Sequence, residues 1–328
     1  MTFVERLEDR LLSNPRADRV KDVAALTRRS MRSKRGLFRA EGPQNVREAV
    51  RLALADSPAP GLPRLDAVYV TLQELDRHPG IAADLAAVAD RGDAFVRAVT
   101  PEVLAAMTDA VTPQGMLAVC RFPSSALDAS EASGSSDDAA RALGAARLVG
   151  MLVRVQDPGN AGTVIRTADA AGADAVLCTP GTVDPFNPKS VRSSAGSLFH
   201  VPVFTGMELA AVVAAAREHG MGVLAADGYA SMTVSELADA AMLRAAGISS
   251  GDVAYPLEQP TAWLFGNEAQ GLSEAEVAAA DLSVAVPLYG AAESLNVATA
   301  ATVCLYASAQ AQRRIFDGEF NRSTHHHR

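Results

Sequence analysis

The segment TAWLFGNEAQGLS, residues 261–273, joins a short apolar run to a loop built of glycine and polar residues. The run TAWLF predicts a buried strand, because it is short, continuously apolar and rich in aliphatic and aromatic side chains. From Gly266 to Ser273 the loop matches the phosphate-binding pattern G-x-x-x-x-G-K-S/T, except that Leu272 stands where that pattern needs lysine. Because that positive charge is missing and Glu268 lies inside the loop, the sequence disfavours a triphosphate and favours a neutral or cationic ligand.

Around this segment, apolar runs alternate with helical ones from residue 147 onward. Strands are predicted at 147–155, 174–178, 200–204, 221–225, 261–265 and 282–286, and helices near 160–172, 206–219, 273–280 and 294–313. Apolar strands separated by helices are typical of a parallel sheet that is covered on both faces. We therefore expect an α/β fold, in which ligands bind in the loops at the carboxyl ends of the strands.

A second loop of interest opens the helix that follows the first of these strands. In VQDPGNAGTVIRTADAAG, residues 155–172, Asn160 is placed to cap the helix. Arg166 falls on the side of the helix opposite its apolar stripe, where it could face a ligand. The alternative is a surface ion pair between Arg166 and Asp169, which exposed helices often contain.

A third loop lies in VAVPLYGAAESLNVATAATVCLY, residues 284–306. The strand ends at Pro287, and Ser294-Leu295-Asn296 opens a long helix rich in alanine and threonine. Ser294 is either a helix cap or a polar group of the site. Residues 294–312 carry no charge and many small side chains, a surface better buried than wetted, so we expect a homodimer.

The chain before residue 122 has the pattern of a smaller α/β domain. Strands are predicted at 65–71, 93–99 and 115–120, and helices at 46–56 and 81–89. The stretch 122–146 consists mostly of serine, alanine, aspartate and glycine, which is typical of a flexible linker. The predicted organisation is a domain over 1–121, a linker over 122–146, a second domain over 147–318 and a tail over 319–328.

The charge of the chain is unevenly distributed. The net charge is −8, but residues 1–51 hold thirteen Lys and Arg against seven Asp and Glu. A basic arm on an acidic body favours a polyanionic partner, although such a run is often only a solvated helix face. The residues predicted to contact nucleic-acid phosphate are Arg28, Arg29, Arg32, Lys34, Arg35 and Arg39.

Several classes of protein are disfavoured by the sequence. Residues 294–312 are too polar for a membrane span, and the charged N-terminal segment lacks a signal core, so we expect a cytoplasmic protein without membrane attachment. Cys120, Cys178 and Cys304 are far apart and show no metal-ligand spacing, which predicts small buried side chains and no metal site. A nicotinamide-binding G-x-G-x-x-G pattern is also missing from the sequence.

Taken together, the three loops resemble the three motifs of the SpoU (TrmH-like) family of RNA methyltransferases. The resemblance lies in N-x5-R from Asn160, F-G-N-E-x-x-G-L-S from Phe265, and P-x-x-G-x3-S-L-N-V from Pro287, and it covers most of residues 148–313. Residues 14–50 resemble the substrate-binding domain that precedes this domain in many members. One departure is Leu288, where many relatives have methionine, a side chain of similar volume.

The resemblance implies a fold, a reaction and a set of site residues. It implies a C-terminal trefoil knot with a parallel sheet, a smaller L30e-like α/β domain, a homodimer, and S-adenosylmethionine-dependent methylation of a ribose 2′-hydroxyl, with rRNA favoured over tRNA. The residues implied near methyl transfer are Asn160, Arg166, Glu268, Ser294 and Asn296. Those implied to hold S-adenosylmethionine are Phe265, Gly266, Asn267, Gly271, Val286, Leu288 and Leu295, and Arg192 is implied to face RNA phosphate.

Methyl transfer to an alcohol is an in-line displacement, so positioning should supply much of the acceleration. Guanidinium groups titrate far above neutral pH, which favours Arg166 as a clamp on hydroxyl or phosphate rather than as a base. The proton acceptor stays open among phosphate, water and a transiently neutral Arg166. A tRNA methyltransferase and a non-catalytic RNA-binding protein remain the alternative functions.

Overall fold

A computed structural model of the chain describes residues 2–57, 59–123, 136–249, 251 and 253–324. The chain divides into two compact units. The first contains residues 1–130 together with 184–202, and the second contains 131–183 together with 203–328.

The elements alternate along most of the chain. The strands are β1 (Leu37–Glu41), β2 (Arg64–Val70), β3 (Phe95–Ala98), β4 (Met116–Arg121), β5 (Leu148–Leu152), β6 (Ala175–Cys178), β7 (Val203–Thr205), β8 (Gly222–Ala226), β9 (Thr261–Phe265) and β10 (Leu282–Val284). The helices are α1 (Phe3–Glu8), α2 (Asp18–Ala24), α3 (Arg29–Arg35), α4 (Pro43–Leu54), α5 (Leu72–Arg77), α6 (Pro79–Arg91), α7 (Pro101–Met107), α8 (Ser136–Leu143), α9 (Pro158–Ala171), α10 (Pro188–Ser194), α11 (Leu209–Glu218), α12 (Val234–Ala245), α13 (Glu274–Ala279) and α14 (Val297–Thr324).

The first unit is built on a mixed sheet of four strands in the order β1-β4-β2-β3. Strand β4 pairs antiparallel with β1 and β2, whereas β2 and β3 are parallel. Helices α2 and α7 pack on one core of this unit through Val20, Val103 and Met107. Helix α4 lies on the sheet as well and buries Val46 and Val50 completely.

Residues 184–202, which the sequence assigned to the second domain, pack within the first unit. The reason is an aromatic cluster in which Phe186 lies 5.0 Å from Phe38 and 4.9 Å from Phe122, measured between ring centroids. Asp184 also forms an ion pair with the buried side chain of Arg32. The predicted boundary at 147 therefore does not separate the two units completely.

The second unit carries a six-stranded sheet in the order β10-β8-β9-β5-β6-β7. Every neighbouring pair is parallel, as expected from the alternation of apolar runs and helices. Strands β5, β6 and β9 are buried along their whole length, so this sheet is covered on both faces. The carboxyl ends of β5, β8 and β9 lie side by side in its centre, which positions their loops for a common ligand.

The last helix closes one face of this sheet. Helix α14 contacts α9 and α12 and reaches the sheet at Trp263, whose Nε1 donates a buried hydrogen bond of 2.9 Å to Oγ of Ser308. It begins three residues later than predicted, because Asn296 is its cap: Oδ1 accepts from the amides of Ala298 at 2.9 Å and Thr299 at 3.4 Å. It continues to Thr324, into the segment predicted as a tail.

Three further predictions concern the cysteines, the linker and membrane spans. The three cysteines are buried, as predicted. Residues 124–135 of the predicted linker lie outside the described ranges, and its later part contains helix α8, Ser136–Leu143. None of the helices within the described residues is both long and apolar enough to span a bilayer.

Candidate active site

A cavity of about 870 Å³ opens at the carboxyl ends of β5, β8 and β9 and against the loop that precedes α14. All seven residues that the resemblance assigns to the cofactor line it: Phe265, Gly266, Asn267, Gly271, Val286, Leu288 and Leu295. Asn160, Glu268, Ser294 and Asn296 line it as well. The fold thus gathers segments more than a hundred residues apart in sequence at one edge of the sheet.

The loop after β9 folds tightly back on itself. The amide of Asn267 donates to the carbonyl of Gly271 at 3.1 Å, and the amide of Gly271 donates to the carbonyl of Asn267 at 2.8 Å. A Cβ on Gly266 would lie 2.4 Å from the backbone carbon of Gly271, closer than any side chain can approach. Position 266 therefore requires glycine, because the backbone of the same loop occupies the place of a side chain.

The carboxylate of Glu268 fastens this loop to the loop after β5. Its Oε2 accepts from the amide of Gln156 at 3.0 Å, and its Oε1 accepts from the amide of Asp157 and from Nδ2 of Asn160, each at 3.0 Å. Burial by itself would raise the pKa of Glu268, but these hydrogen bonds outweigh it and hold the pKa below its ordinary value. Glu268 is consequently an ionised acceptor with both oxygens engaged.

Asn160 continues this connection to the third loop. Its Oδ1 accepts from Nδ2 of Asn296 at 2.9 Å, so Glu268, Asn160 and Asn296 form one hydrogen-bonded chain across all three loops. Each of the two amide groups keeps a second N–H hydrogen that this chain does not use. These two N–H groups are neutral donors at the cavity, and the hydrogen-bonded chain holds them in place.

The helix cap at α9 differs from the prediction. Asp157, not Asn160, caps the helix, with Oδ1 accepting from the amide of Asn160 at 2.9 Å. Pro158 occupies the first helical position, which needs no N–H donor, so the helix begins two residues before Asn160. The side chain of Asn160 is thereby free for the chain that joins the loops.

Arg166 lies elsewhere on the second unit. Its side chain is exposed on α9 and lines a shallow groove with Thr163, Thr167, Thr302 and Tyr306, and it is not among the described residues that line the large cavity. Thr167, the next residue along α9, is buried, and its hydroxyl oxygen lies 3.2 Å from that of Thr302. The structure brings together four of the five predicted catalytic residues and leaves Arg166 on the α9–α14 surface.

The predicted basic surface at the N-terminus is divided by the fold. Arg32 and Arg39 are buried, with Arg32 paired to Asp184 and Arg39 to Asp109, which corrects their assignment to RNA. Arg35 pairs with Asp22 at 2.6 Å and keeps about a third of its side chain exposed. The residues of this set that stay exposed without such a pair in the described structure are Arg28, Arg29 and Lys34.

Arg192 is also engaged within the first unit. Its Nη1 lies 3.0 Å from Oε2 of Glu41 and 3.3 Å from Oδ1 of Asp109. A guanidinium already paired with two carboxylates is a poor phosphate ligand, so its predicted contact with RNA phosphate is not favoured by the structure.

Two parts of the site were missed from the sequence. The loop after β8 lines the cavity with Asp227, Gly228 and Tyr229, and its place follows from the predicted strand at 221–225 by the same strand-end rule. Arg154 takes a left-handed conformation with φ of 55° and pairs through two nitrogens with Glu276, which raises its pKa. The carbonyl of Arg154 accepts from Nδ2 of Asn267 at 2.9 Å, so this residue positions the loop after β9, and no local sequence signal marks it.

The charge of the cavity agrees with the ligand class predicted from Leu272. Its described lining contains Asp157, Asp227, Glu268 and Glu293 and has no lysine, arginine or histidine. Within the described ranges, three or more His, Cys, Asp or Glu side chains nowhere come together in a way that could hold a metal ion. The site fits a cationic or neutral organic ligand.

Comparison with known proteins agrees with this geometry. Sequence models of two families match the chain, the SpoU rRNA Methylase family over residues 147–306 and an MRM3-like substrate binding domain over 17–118. The chain is 32% identical over 296 residues to the 23S rRNA (guanosine(2553)-2'-O)-methyltransferase RlmP of Bacillus subtilis, covering 90% of this chain and 97% of that protein. It is 37% identical over 158 residues to the 23S rRNA (uridine(2479)-2'-O)-methyltransferase of Streptomyces viridochromogenes, with 47% of this chain and 49% of that protein covered.

Solved structures give the same result. The AdoMet-bound rRNA methyltransferase from Sinorhizobium meliloti superposes with a TM-score of 0.69 at 25% identity, over 92% of this chain and 97% of that one. The SpoU methyltransferase AviRb from Streptomyces viridochromogenes, in complex with AdoMet, gives a TM-score of 0.65 at 26% identity, over 92% and 99% of the two chains. Fold and site together define a methylase unit combined with a substrate-binding unit. The chain belongs to the SpoU rRNA methylase family.

Proposed function

We propose that this protein transfers a methyl group from S-adenosylmethionine to a ribose 2′-hydroxyl of RNA, with 23S rRNA as its substrate. The observation that carries the proposal is the hydrogen-bonded chain Glu268–Asn160–Asn296, which joins three loops around one acidic cavity. Supporting it, two relatives, one aligned over 90% of this chain and one over 47%, are named as 23S rRNA 2′-O-methyltransferases.

The cavity suits S-adenosylmethionine in both its charge and its apolar lining. When bound, the cofactor supplies an electrophilic methyl group on a positively charged sulfonium, and it carries a net positive charge at neutral pH. Four carboxylates without a basic residue in the described lining favour that charge over an anionic nucleotide. Gly266 lets the loop turn tightly at the edge of the cavity, and Val286, Leu288 and Leu295 offer apolar contact to an adenine ring.

Within this reaction, the three linked side chains act by positioning. Both oxygens of Glu268 already accept hydrogen bonds, so its part is to hold the loops and not to take a proton. The unused N–H hydrogens of Asn160 and Asn296 can donate to the ribose oxygen as negative charge develops on it. Ser294 lines the same cavity and offers a hydroxyl to the same ribose.

Arg166 and the dimer belong to one surface in this proposal. The α9–α14 surface places the exposed Tyr306 beside Arg166 in one groove, and Val303 of α14 is exposed as well, so we infer that two chains associate there as a homodimer. In that dimer the guanidinium of Arg166 lies at the interface and clamps RNA that is bound across it. We also infer the trefoil knot of the family and a cytoplasmic location, where ribosomal RNA is available.

The experiment that tests the proposed function uses the full chain and labelled S-adenosylmethionine. Total rRNA and total tRNA are offered separately, and the acceptor nucleotide is mapped by primer extension. We expect label in 23S rRNA and none in tRNA. Label in tRNA alone would move the substrate to tRNA, and cofactor binding by calorimetry without transfer to either RNA would contradict the proposed activity. Failure to bind S-adenosylmethionine would leave a non-catalytic RNA-binding protein.

A further inference from the structure

Two arginine side chains of the first unit contact the same aromatic ring. Cζ of Arg19 lies 4.1 Å and Cζ of Arg97 lies 5.1 Å from the centroid of the Phe95 ring, and both lie over it. Guanidinium groups are attracted to aromatic faces, so one ring holds both side chains at one place on the surface. Neither arginine belongs to the basic segment predicted at residues 28–39, and the proposed function assigns them no task.

The fold explains how residues from two elements meet at this ring. Phe95 and Arg97 are two residues apart in β3, so their side chains leave the strand on the same face of the sheet. Helix α2 packs Val20 into the core cluster against which Phe95 lies, and the preceding residue, Arg19, is thereby placed over the ring. Nη1 of Arg97 is held further by the carbonyl of Arg10, to which it donates at 2.8 Å.

Neither guanidinium is neutralised by a carboxylate of the described residues. Asp22 follows Arg19 by three positions on α2, close enough to pair with it, but its Oδ1 lies 2.6 Å from Nη2 of Arg35 instead. Two positive charges at one ring repel each other, and an anion that binds beside both of them removes this cost. The geometry therefore favours an anion as the partner of Arg19 and Arg97.

The contact with the ring suits a phosphate diester in particular. A guanidinium that meets a ring through its face keeps its N–H donors at its rim, where they can form two parallel hydrogen bonds with phosphate oxygens. Arg19 is exposed and Arg97 is partly exposed, so both can be reached from solvent. Because the ring limits the freedom of both side chains, less of it is lost when they bind.

We propose that Arg19 and Arg97 together clamp a backbone phosphate of the RNA substrate, with the ring of Phe95 holding both guanidinium groups in position. This phosphate site is additional to the exposed residues Arg28, Arg29 and Lys34. The proposal rests on the proposed function in one respect, that the partner of the protein is RNA.

The test measures binding of the full chain to labelled 23S rRNA on filters over a range of salt concentrations. Arg19→Gln and Arg97→Gln should each weaken binding about five- to eightfold at about 0.1 M salt, the effect of losing one phosphate contact. Each change should also reduce the slope of log affinity against log salt concentration by about one. The matched control Arg6→Gln removes an arginine of the same unit that is already paired with Asp90, and it should change neither value.

Lysine variants distinguish a clamp from general attraction by positive charge. Arg19→Lys and Arg97→Lys keep the charge of the unit but lose the planar group that contacts the ring and binds phosphate through two hydrogen bonds. Binding should therefore fall in both variants, and wild-type affinity in both would overturn the proposal. Glutamine variants that bind RNA as tightly as Arg6→Gln would overturn it as well.

Urea unfolding shows whether each variant is folded. Arg19 is exposed and makes no hydrogen bond within the described residues, so its variants should unfold at the wild-type urea concentration. The Arg19 variants decide the matter if those of Arg97, whose bond to the carbonyl of Arg10 is lost, do not fold.

The same proteins separate this inference from the proposed function. Methyl transfer to rRNA by the wild-type protein, with unchanged RNA affinity in Arg19→Gln and Arg97→Gln, would refute the phosphate clamp and leave the enzyme intact. Weakened RNA binding in both variants, without methyl transfer by the wild-type protein to any RNA, would refute the proposed function and leave the clamp standing.

Discussion

Replacing Glu268 by alanine tests how the three loops of the active site are held together. The change removes the acceptor for two backbone amides and for Nδ2 of Asn160, each now bonded at 3.0 Å. Hydrogen bonds to a charged acceptor contribute up to about 3 kcal/mol each, but the side chain is exposed, so we reduce each to below about 1 kcal/mol and expect a total near 2 kcal/mol. Because Asn160 links onward to Asn296, the loss should loosen all three loops.

Two measurements test the effect of Glu268→Ala. Urea unfolding should show the second unit of Glu268→Ala to be less stable by about 2 kcal/mol, and calorimetry should show S-adenosylmethionine binding weakened about tenfold or more. The matched control is Asp239→Ala, which removes an exposed carboxylate on α12 of the same unit and should change neither value. If Glu268→Ala bound the cofactor as tightly as Asp239→Ala, the linkage of the loops would not position the cofactor site.

Further predictions concern pH, backbone, charge and assembly. Because the folded protein lowers the pKa of Glu268, the contribution of its carboxylate to holding the loops is complete above pH 4.5 and is lost as the pH falls through the lowered value. Cofactor affinity should therefore be level from pH 8 to about 5 and fall below pH 4.5. A decline already between pH 7 and 6 would be inconsistent with this group. Gly266→Ala should abolish cofactor binding in calorimetry, since a Cβ would lie 2.4 Å from backbone; wild-type affinity would refute the tight turn. Arg39→Ala should destabilise the first unit by about 3 kcal/mol in urea unfolding, because it breaks a buried ion pair. Arg29→Glu should weaken RNA binding at low salt and leave stability unchanged. The opposite result for the two variants would show that Arg39 contacts RNA after all. Tyr306→Glu should convert the expected dimer to a monomer in sedimentation, and a wild-type monomer near 34.2 kDa would contradict the proposed interface.

The strands and the cofactor loops were predictable because their signals are local. Each apolar run of the second unit became a strand of the parallel sheet, and the glycine and polar residues after β9 were enough to place Gly266, Asn267 and Glu268 at its carboxyl end. The missed helix α12, Val234–Ala245, has a mixed pattern in VSELADAAMLRA, with alanine on both its buried and its partly exposed faces. Its apolar stripe is therefore weak in the sequence.

What could not be predicted depends on contacts between distant segments. Arg32 and Arg39 look like a basic surface until Asp184 and Asp109 are brought beside them. Asn160 looks like a cap until Asp157 takes that position and frees its side chain to join Glu268 and Asn296. Composition in a short window carries no information about such partners.

Methylation of the ribose and methylation of a base differ in their effect on alkaline cleavage, and one measurement distinguishes them. A 2′-O-methyl group removes the nucleophile of alkaline cleavage, so the phosphodiester bond that follows the modified nucleotide resists alkali. Ribosomal RNA labelled by this protein with methyl-labelled S-adenosylmethionine is hydrolysed in alkali and separated by size. We expect the label in alkali-resistant dinucleotides, and label found only in mononucleotides would contradict methylation of the ribose.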